Sequence, residues 1–222
     1  MQRVLVIGAS RGIGHEFVRQ YLGDSSQVTA TARQARDVQT LQGMGASAFA
    51  LDVADAVSAS TLGWRLDGLK FDVIIVNAGV YGPQTQALEV PSQVDFDQVM
   101  HTNVLGAMRV MAQIADALAP AARVAVVSSQ MASIATRSST AGWLYRASKA
   151  ALNSVLKDLS LTLKERAVCV ALHPGWVRTD MGGPQADLTP QRSVSDMRTT
   201  LKGLGVEQTG VFLNHDGQPL LW

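Results

Sequence analysis

The sequence is poor in cysteine and in charge, and both shortages exclude classes of function. Cys169 is the only cysteine among 222 residues, so no internal disulfide can form, which fits a reducing compartment. Charged residues make up 17% of the chain and hydrophobic residues 47%, which excludes a disordered chain. The 19 basic and 18 acidic residues leave a net charge of +1, so no overall field favours nucleic acid or an anionic membrane.

Long apolar runs and clusters of metal ligands are also missing. The longest uncharged stretch, residues 73–88, contains glycine, proline and Asn77, so it cannot span a membrane. The residues before Gly8 lead directly into a strand pattern and do not resemble a signal peptide. The four histidines are scattered, and none lies at ligand spacing from another histidine or from Cys169, so we predict no metal site. We therefore expect a soluble, cytoplasmic protein.

The sequence does contain a regular alternation of short apolar runs and helix-like segments. The runs show no polar–apolar alternation, which is typical of strands buried on both faces of a parallel sheet. They are residues 3–7, 27–32, 48–51, 73–76, 123–128, 168–172 and 211–213. The helix-like segments are residues 12–22, 36–42, 57–66, 93–118 and 143–164. The pattern predicts one α/β domain over residues 1–222, with a doubly wound (Rossmann) parallel sheet of about seven strands and helices on both faces.

One region has neither pattern. Residues 182–199 are rich in glycine, proline, glutamine and serine, which predicts a long loop. Loops of that length in compact domains are often functional. We expect a substrate lid around residues 182–203.

A glycine-rich turn follows the first predicted strand, with the sequence Gly8-Ala9-Ser10-Arg11-Gly12-Ile13-Gly14. Glycines allow a tight turn and a close approach of phosphate to the backbone. The helix that follows directs its free N–H groups and its positive dipole end at that phosphate. The alternative is a purely structural strand-to-helix turn, but the first βα turn of such a sheet favours nucleotide binding.

The end of the second strand indicates which nucleotide would bind. A carboxylate there would bind the free 2′-hydroxyl of NAD, but Arg33 follows the strand instead. Arg33 and Arg11 would both suit the 2′-phosphate of NADP, unless they are ordinary solvated arginines. Asp52, after the third strand, either accepts a hydrogen bond from the adenine amino group or caps the next helix. The sequence therefore favours NADP(H) over NAD(H).

Tyr145 and Lys149 stand four residues apart and share one face of a predicted helix. Free tyrosine has a pKa of about 10 and is a poor acid–base group at neutral pH. A neighbouring ammonium stabilises the phenolate and lowers that pKa. The pair is therefore a candidate general acid–base, although the spacing alone is common by chance.

The motifs become specific in combination and in order. They are the glycine turn, Asn77-Ala78-Gly79, Asn103, Ser128-Ser129, Tyr145 with Lys149, and Pro174-Gly175. Over essentially the whole chain this order resembles the short-chain dehydrogenase/reductase family. The 16-residue gap from Ser129 to Tyr145 and the segments 148–153, 173–183 and 213–217 are similar to those of the C-factor/sniffer-type carbonyl reductases.

The resemblance implies a role for each catalytic position. Tyr145 would give a proton to a carbonyl oxygen while NADPH delivers hydride, and Lys149 would lower the tyrosine pKa and hold the nicotinamide ribose. Ser129 would orient the substrate oxygen, with Ser128 as the alternative. Asn103 would anchor a water chain from Lys149 to solvent, or else is a polar residue that bends its helix.

The resemblance also implies a cofactor site and departs from the family at two positions. Asn77-Ala78-Gly79 would line the adenosine side, and Pro174-Gly175 and Thr179 would hold the carboxamide. The expected cofactor residues are Gly8, Ser10, Arg11, Gly12, Ile13, Gly14, Arg33, Asp52, Val53, Asn77, Ala78, Gly79, Tyr145, Lys149, Pro174, Gly175, Val177 and Thr179. Ile7 replaces the usual threonine and Val76 a frequent asparagine, which puts local stability in doubt more than activity.

The predicted function is NADPH-dependent reduction of a ketone or aldehyde. An apolar or aromatic substrate wall is expected from Gln130, Met131, Trp143, Trp176 and Met181. The alternatives are an NADP(H)-binding signalling or regulatory protein and NAD-dependent alcohol oxidation. The family resemblance implies a homodimer or homotetramer through the helices at residues 93–118 and 143–164.

Overall fold

Seven parallel strands form one sheet in the order β3-β2-β1-β4-β5-β6-β7. The computed structural model describes residues 1–85 and 88–222. The strands are β1 (Arg3–Ile7), β2 (Gln27–Ala32), β3 (Ser47–Ala50), β4 (Phe71–Val76), β5 (Leu118–Val127), β6 (Ala167–His173) and β7 (Val211–Asn214). The order reverses between β1 and β4, and that switch point opens a crevice at the carboxyl ends of the strands. The predicted doubly wound fold is confirmed.

Helices cover both faces of the sheet. They are α1 (Gly12–Gly23), α2 (Ala35–Gly43), α3 (Ala56–Ser60), α4 (Leu62–Arg65), α5 (Gln93–Met100), α6 (Gly106–Ile114), α7 (Trp143–Thr162) and α8 (Pro190–Gly203). Single turns of 3₁₀-helix lie at residues 115–117, 130–132 and 206–208. Within the described ranges, no helix is long and apolar enough to cross a bilayer.

Two layers of core explain the continuous apolar strands. In β1, Leu5 and Ile7 belong to one core cluster, and Val4 and Val6 belong to the other, and all four are fully buried. Successive side chains of a strand point to opposite faces, so both faces of the sheet are covered. This burial holds the carboxyl ends of the strands in a fixed frame for a site.

The predicted loop at residues 182–199 is wrong beyond Thr189. The Thr189 side chain accepts from Arg192 N at 3.2 Å and caps α8, which begins at Pro190. Val194, Met197 and Leu201 follow at helical spacing and are buried against the second core cluster. The polar composition hid this single apolar stripe, whereas the threonine–proline start and the spacing of 3 and 4 would have predicted a helix.

Two other predicted helices also differ from the structure. Residues 57–66 form two short helices, α3 and α4, instead of one. The predicted helix 93–118 continues from α5 to α6 through a π-helical turn at His101–Leu105. Leu118 is not helical, because it begins β5 and pairs with Phe71. Apolar composition does not separate the end of a buried helix from the start of a buried strand.

Candidate active site

The glycine turn depends on its three glycines for different reasons. Gly8 and Gly12 have φ values of +85° and +55°, a region that side chains strongly disfavour. A Cβ on Gly14 would lie 2.2 Å from the Gly8 carbonyl oxygen and 2.6 Å from Asn77 Nδ2. The first two glycines therefore shape the turn, and the third lets α1 pack directly against it.

Side chains of Thr31, on β2, and Asn77, directly after β4, hold this turn. Thr31 Oγ1 accepts from Gly8 N at 3.1 Å, and Asn77 Nδ2 donates to Gly8 O at 2.7 Å. Thr31 therefore supplies a hydroxyl at the turn, where the family's usual threonine is replaced by the fully buried Ile7. No local motif points to Thr31, because its contact with Gly8 crosses to a neighbouring strand.

The first turn of α1 leaves backbone donors available for a ligand. Its N-cap, Arg11, makes no side-chain capping bond, whereas Asp55, Ser92 and Thr189 cap α3, α5 and α8. Uncapped N–H groups at a helix start, together with the helix dipole, attract phosphate. The turn is therefore suited to a pyrophosphate.

A groove crosses the carboxyl ends of the strands at this turn. Its lining contains most of the predicted cofactor residues: Gly8, Ser10, Arg11, Gly12, Ile13, Arg33, Asp52, Val53, Asn77, Ala78, Gly79, Tyr145, Lys149, Pro174 and Thr179. Gly14 packs behind the turn, and Gly175 and Val177 line the neighbouring cavity. The strand order thus assembles residues that are 171 positions apart, from Gly8 to Thr179.

The two predicted phosphate arginines have different surroundings. Arg11 Nη1 lies 2.8 Å from Asp180 Oδ2, and both side chains are exposed. Arg33 is exposed at the groove and makes no ion pair within the described residues. Arg33 is therefore the more available of the two for a ligand phosphate.

Asp52 does not cap the next helix, contrary to one of its two predicted roles. Asp52 Oδ1 accepts from Ala54 N at 2.9 Å, while Asp55 accepts from Ser58 N and caps α3. Asp52 lines the groove, so the adenine contact stays a prediction.

Tyr145 is 7% exposed, and its hydroxyl-bearing neighbours are Ser129 and Tyr81. Burial raises its pKa to about 12, and the Ser129 side chain acts in the opposite direction. Its ring stacks on Tyr81, with 4.6 Å between ring centroids. Tyr81 was not among the predicted site residues, although it lies only two residues after Gly79. The phenol is therefore a rigidly held and protonated group at neutral pH.

Lys149 lies on the same helix face, and burial is the main influence on the tyrosine pKa in this structure. The lowering of that pKa by Lys149 stays a prediction. Lys149 Nζ donates to the Val127 carbonyl oxygen at 2.8 Å and lies 5.8 Å from the Tyr145 ring centroid. Burial lowers the pKa of Lys149 to about 8. Desolvation thus dominates at both groups.

Asn103 lies in the π-helical turn and joins three elements. Its Oδ1 accepts from Val80 N and its Nδ2 donates to Val80 O, both at 2.8 Å. Nδ2 also donates to Ser148 Oγ on α7 at 2.9 Å. Asn103 therefore fixes the chain after Gly79 against the helix that carries Tyr145. The proposed water chain stays a prediction.

The adjacent serines face different partners. Ser128 Oγ donates to Asn153 Oδ1 at 2.6 Å in the interior. Ser129 acts on Tyr145, and its Oγ accepts from Met131 N at 3.1 Å. The geometry favours Ser129 as the group that meets a substrate oxygen.

A second cavity of about 540 Å³ opens beside the groove. Four of the five predicted substrate residues line it, namely Gln130, Met131, Trp176 and Met181. Trp143 is absent from this lining, because it precedes Tyr145 by two residues on α7 and points elsewhere. Ile13, Ser128, Tyr145, Pro174, Thr179 and Met181 line both spaces. The tyrosine therefore stands where a cofactor and a substrate would meet.

The chain matches the model of the short chain dehydrogenases over residues 2–188. It belongs to that family. It is accordingly an NAD(P)-dependent oxidoreductase. The C-signal protein of Myxococcus xanthus is 41% identical over 154 residues, which cover 68% of this chain and 92% of that protein.

Solved structures of this short-chain dehydrogenase family match the full length of the chain. The carbonyl reductase Sniffer of D. melanogaster superposes with a TM-score of 0.91 at 29% identity and full coverage of both chains. A carbonyl reductase from Pseudomonas aeruginosa PAO1 in complex with NADP gives a TM-score of 0.89 at 34% identity, also with full coverage. The predicted C-factor/sniffer-type resemblance is confirmed.

Proposed function

We propose that this short-chain dehydrogenase reduces a ketone or an aldehyde to an alcohol, with NADPH as cofactor and Tyr145 as the proton donor. The observation that carries the proposal is that Tyr145 borders both the glycine-turn groove and the adjoining cavity. The related carbonyl reductases of D. melanogaster and Pseudomonas aeruginosa support the same reaction.

The residues present fit a dinucleotide. The glycine turn has no side chain that blocks the backbone, and α1 begins without a capping side chain. In the bound state, Lys149 and Thr179 would hold the nicotinamide end and Arg33 the 2′-phosphate. NADPH supplies the hydride.

The chain's own residues complete the reduction. Negative charge develops on the carbonyl oxygen as its carbon receives hydride, and preplaced donors stabilise that charge. Ser129 and Tyr145 provide two hydroxyls at this point, and the raised pKa of Tyr145 keeps its proton available. Tyr145 then transfers its proton to the oxygen, so the product is a neutral alcohol and the phenolate is reprotonated from solvent.

The first test compares wild type with Tyr145→Phe. NADPH consumption at 340 nm, with a panel of ketones, aldehydes and dicarbonyls, should fall about 10³-fold or more, since the group that transfers the proton to the carbonyl oxygen is removed. NADPH binding, followed by its fluorescence, should persist because the ring still stacks on Tyr81. Equal turnover in both proteins would overturn the role of Tyr145. Binding of NADPH without turnover of any substrate would favour the signalling function that the name of the C-signal relative suggests.

A second test addresses the cofactor preference. Arg33→Ala should weaken NADPH binding about tenfold or more and leave NADH binding nearly unchanged, because only NADPH carries the 2′-phosphate. Arg11→Ala is the matched comparison, and it should have the smaller effect since Arg11 already pairs with Asp180. Equal affinity of wild type for the two cofactors would contradict the preference.

We also propose a cytoplasmic homo-oligomer that forms through the helical region 93–118 and the helix near 143–164. Exposed apolar side chains on these helices support it, among them Phe96, Met108 and Leu161. Size-exclusion chromatography with light scattering should show a dimer or a tetramer, and a stable 23.6 kDa monomer would contradict it.

A further inference from the structure

The cavity beside Tyr145 has a marked charge asymmetry. Arg137 and Arg146 both line it, together with Gln84, Gln130, Thr136 and Ser138. No aspartate or glutamate is among its lining residues within the described ranges. The third basic side chain, His173, is neutral at pH 7, because burial lowers its pKa to about 4. The fixed charge of the cavity is therefore that of two guanidinium groups.

The two arginines differ in how they are held. Arg146 Nε donates to the Ala141 carbonyl oxygen at 2.9 Å, which anchors the side chain at the start of α7 and leaves its terminal nitrogens available. Arg137 is exposed, and its guanidinium has no hydrogen-bond or ion-pair partner within the described residues. Arg11 and Arg198, in contrast, are paired with Asp180 and Asp24.

The cavity also has apolar and aromatic lining residues. Met131, Trp176 and Met181 line it, and Tyr81 and Tyr145 form its aromatic floor. A ligand that satisfies this space has its carbonyl at Tyr145, an apolar or aromatic body against the methionines and an anionic group at the arginines. Guanidinium groups bind carboxylates and phosphates through charge-assisted, bidentate hydrogen bonds.

From this distribution we infer that the substrate is an anionic carbonyl compound, a ketone or aldehyde that carries a carboxylate bound by Arg137 and Arg146. The inference rests on the proposed reductase function and adds the substrate class to it. The cofactor phosphates would bind apart from this pair, because Arg33, Gly8 and Gly12 line the groove and are absent from the cavity lining.

The test uses two aromatic aldehydes that differ in charge. 4-Formylbenzoate and its methyl ester are assayed with NADPH, and the ratio of their kcat/KM values is the readout. Wild type should prefer the acid. Arg137→Gln should lower the ratio about tenfold, which is the size expected for one charge-assisted hydrogen bond, and Arg137→Lys should restore most of it. Arg146→Lys tests the second arginine while it keeps the charge.

Lys164→Gln is the control for net charge. Lys164 is exposed and follows the far end of α7, about 25 Å along the helix from Arg146. This variant should leave the ratio unchanged. A wild-type ratio near one, or a ratio that Lys164→Gln lowers as much as Arg137→Gln does, would overturn the inference.

A binding measurement separates this inference from the reductase proposal. Calorimetry of 4-methoxybenzoate against 4-methoxybenzamide is done on the protein saturated with NADP⁺, so that the cofactor site is filled. The carboxylate should bind at least tenfold more tightly, and Arg137→Gln should remove that difference. If no compound of the carbonyl panel is reduced, the reductase proposal fails and this comparison still decides the inference. Equal binding of acid and amide would overturn it even in an active reductase.

Discussion

The groove at the glycine turn and the cavity beside it meet at Tyr145 but are built differently. The groove is shaped by backbone, since Gly8, Gly12 and Gly14 each exclude a side chain from a particular place. The cavity is shaped by long side chains from segments around residues 81, 130–146 and 173–182. A backbone-shaped groove suits a nucleotide that many enzymes share. A cavity shaped by side chains suits an individual substrate, because those side chains can be substituted without changing the groove.

The largest expected effect separates the two serines at the shared edge. Ser129→Ala should lower kcat about 10²- to 10³-fold with little loss of stability, because it removes a donor to the substrate oxygen. Ser128→Ala should lower the free energy of unfolding by about 1–3 kcal/mol, because it leaves Asn153 Oδ1 buried without its donor. Steady-state kinetics and urea unfolding of both variants measure these two effects. A loss of kcat in Ser128→Ala with a loss of stability in Ser129→Ala would show that Ser128 is the catalytic serine.

A smaller effect tests whether the groove depends on backbone. Gly14→Ala should destabilise the fold by about 2–3 kcal/mol and weaken NADPH binding, because its Cβ would meet Gly8 O at 2.2 Å. Gly23→Ala lies on the same helix with no atom within 4 Å of its Cβ. This control should be neutral or stabilise by up to about 1 kcal/mol. An equal loss in the free energy of unfolding of both variants, measured in urea, would contradict the close packing at Gly14.

The last effect is a pH dependence of stability at Lys149, which lines the groove. Its pKa of about 8 in the folded state lies below its unfolded value of 10.5, so the unfolded chain binds more protons between these pH values. Stability contributed by this group therefore rises with pH from about 8 to 10.5, by up to about 2–3 kcal/mol. Lys149→Met removes this dependence. Urea unfolding at pH 7 to 10 should show that the free energy of unfolding of wild type rises relative to that of the variant. An equal pH dependence in both proteins would contradict the lowered pKa.

The sequence predicted the groove far better than the cavity. All seven predicted strands overlap β1 to β7, and the glycine turn, Asn77 and Tyr145 come together as expected. These positions are set by local spacing and by the parallel sheet. Arg137, Arg146 and Tyr81 could not be predicted, because only the tertiary path of two connecting segments and the start of α7 brings them to one cavity. The last predicted strand, residues 211–213, corresponds to β7.

Two further features were not predicted from the sequence: the burial of Tyr145 and Lys149, and the helix α8. The expectation that Lys149 lowers the pKa of Tyr145 followed from their spacing, but spacing does not reveal that both groups are buried and that Lys149 turns toward Val127 O. Likewise, the composition of α8 is so polar that residues 190–199 resemble a loop. Burial, in both instances, is decided by packing that distant segments supply.

The central position of β1 also determines when the site can exist during synthesis. The strand and its glycine turn are made before β4, α7 and the segment up to Thr179, which complete the groove. A nascent chain that lacks these residues has an open sheet edge at β1 and no enclosed place for a dinucleotide. Ligand-induced stabilisation therefore arrives only after synthesis has passed Thr179. Until then the growing chain is stabilised by its own core alone.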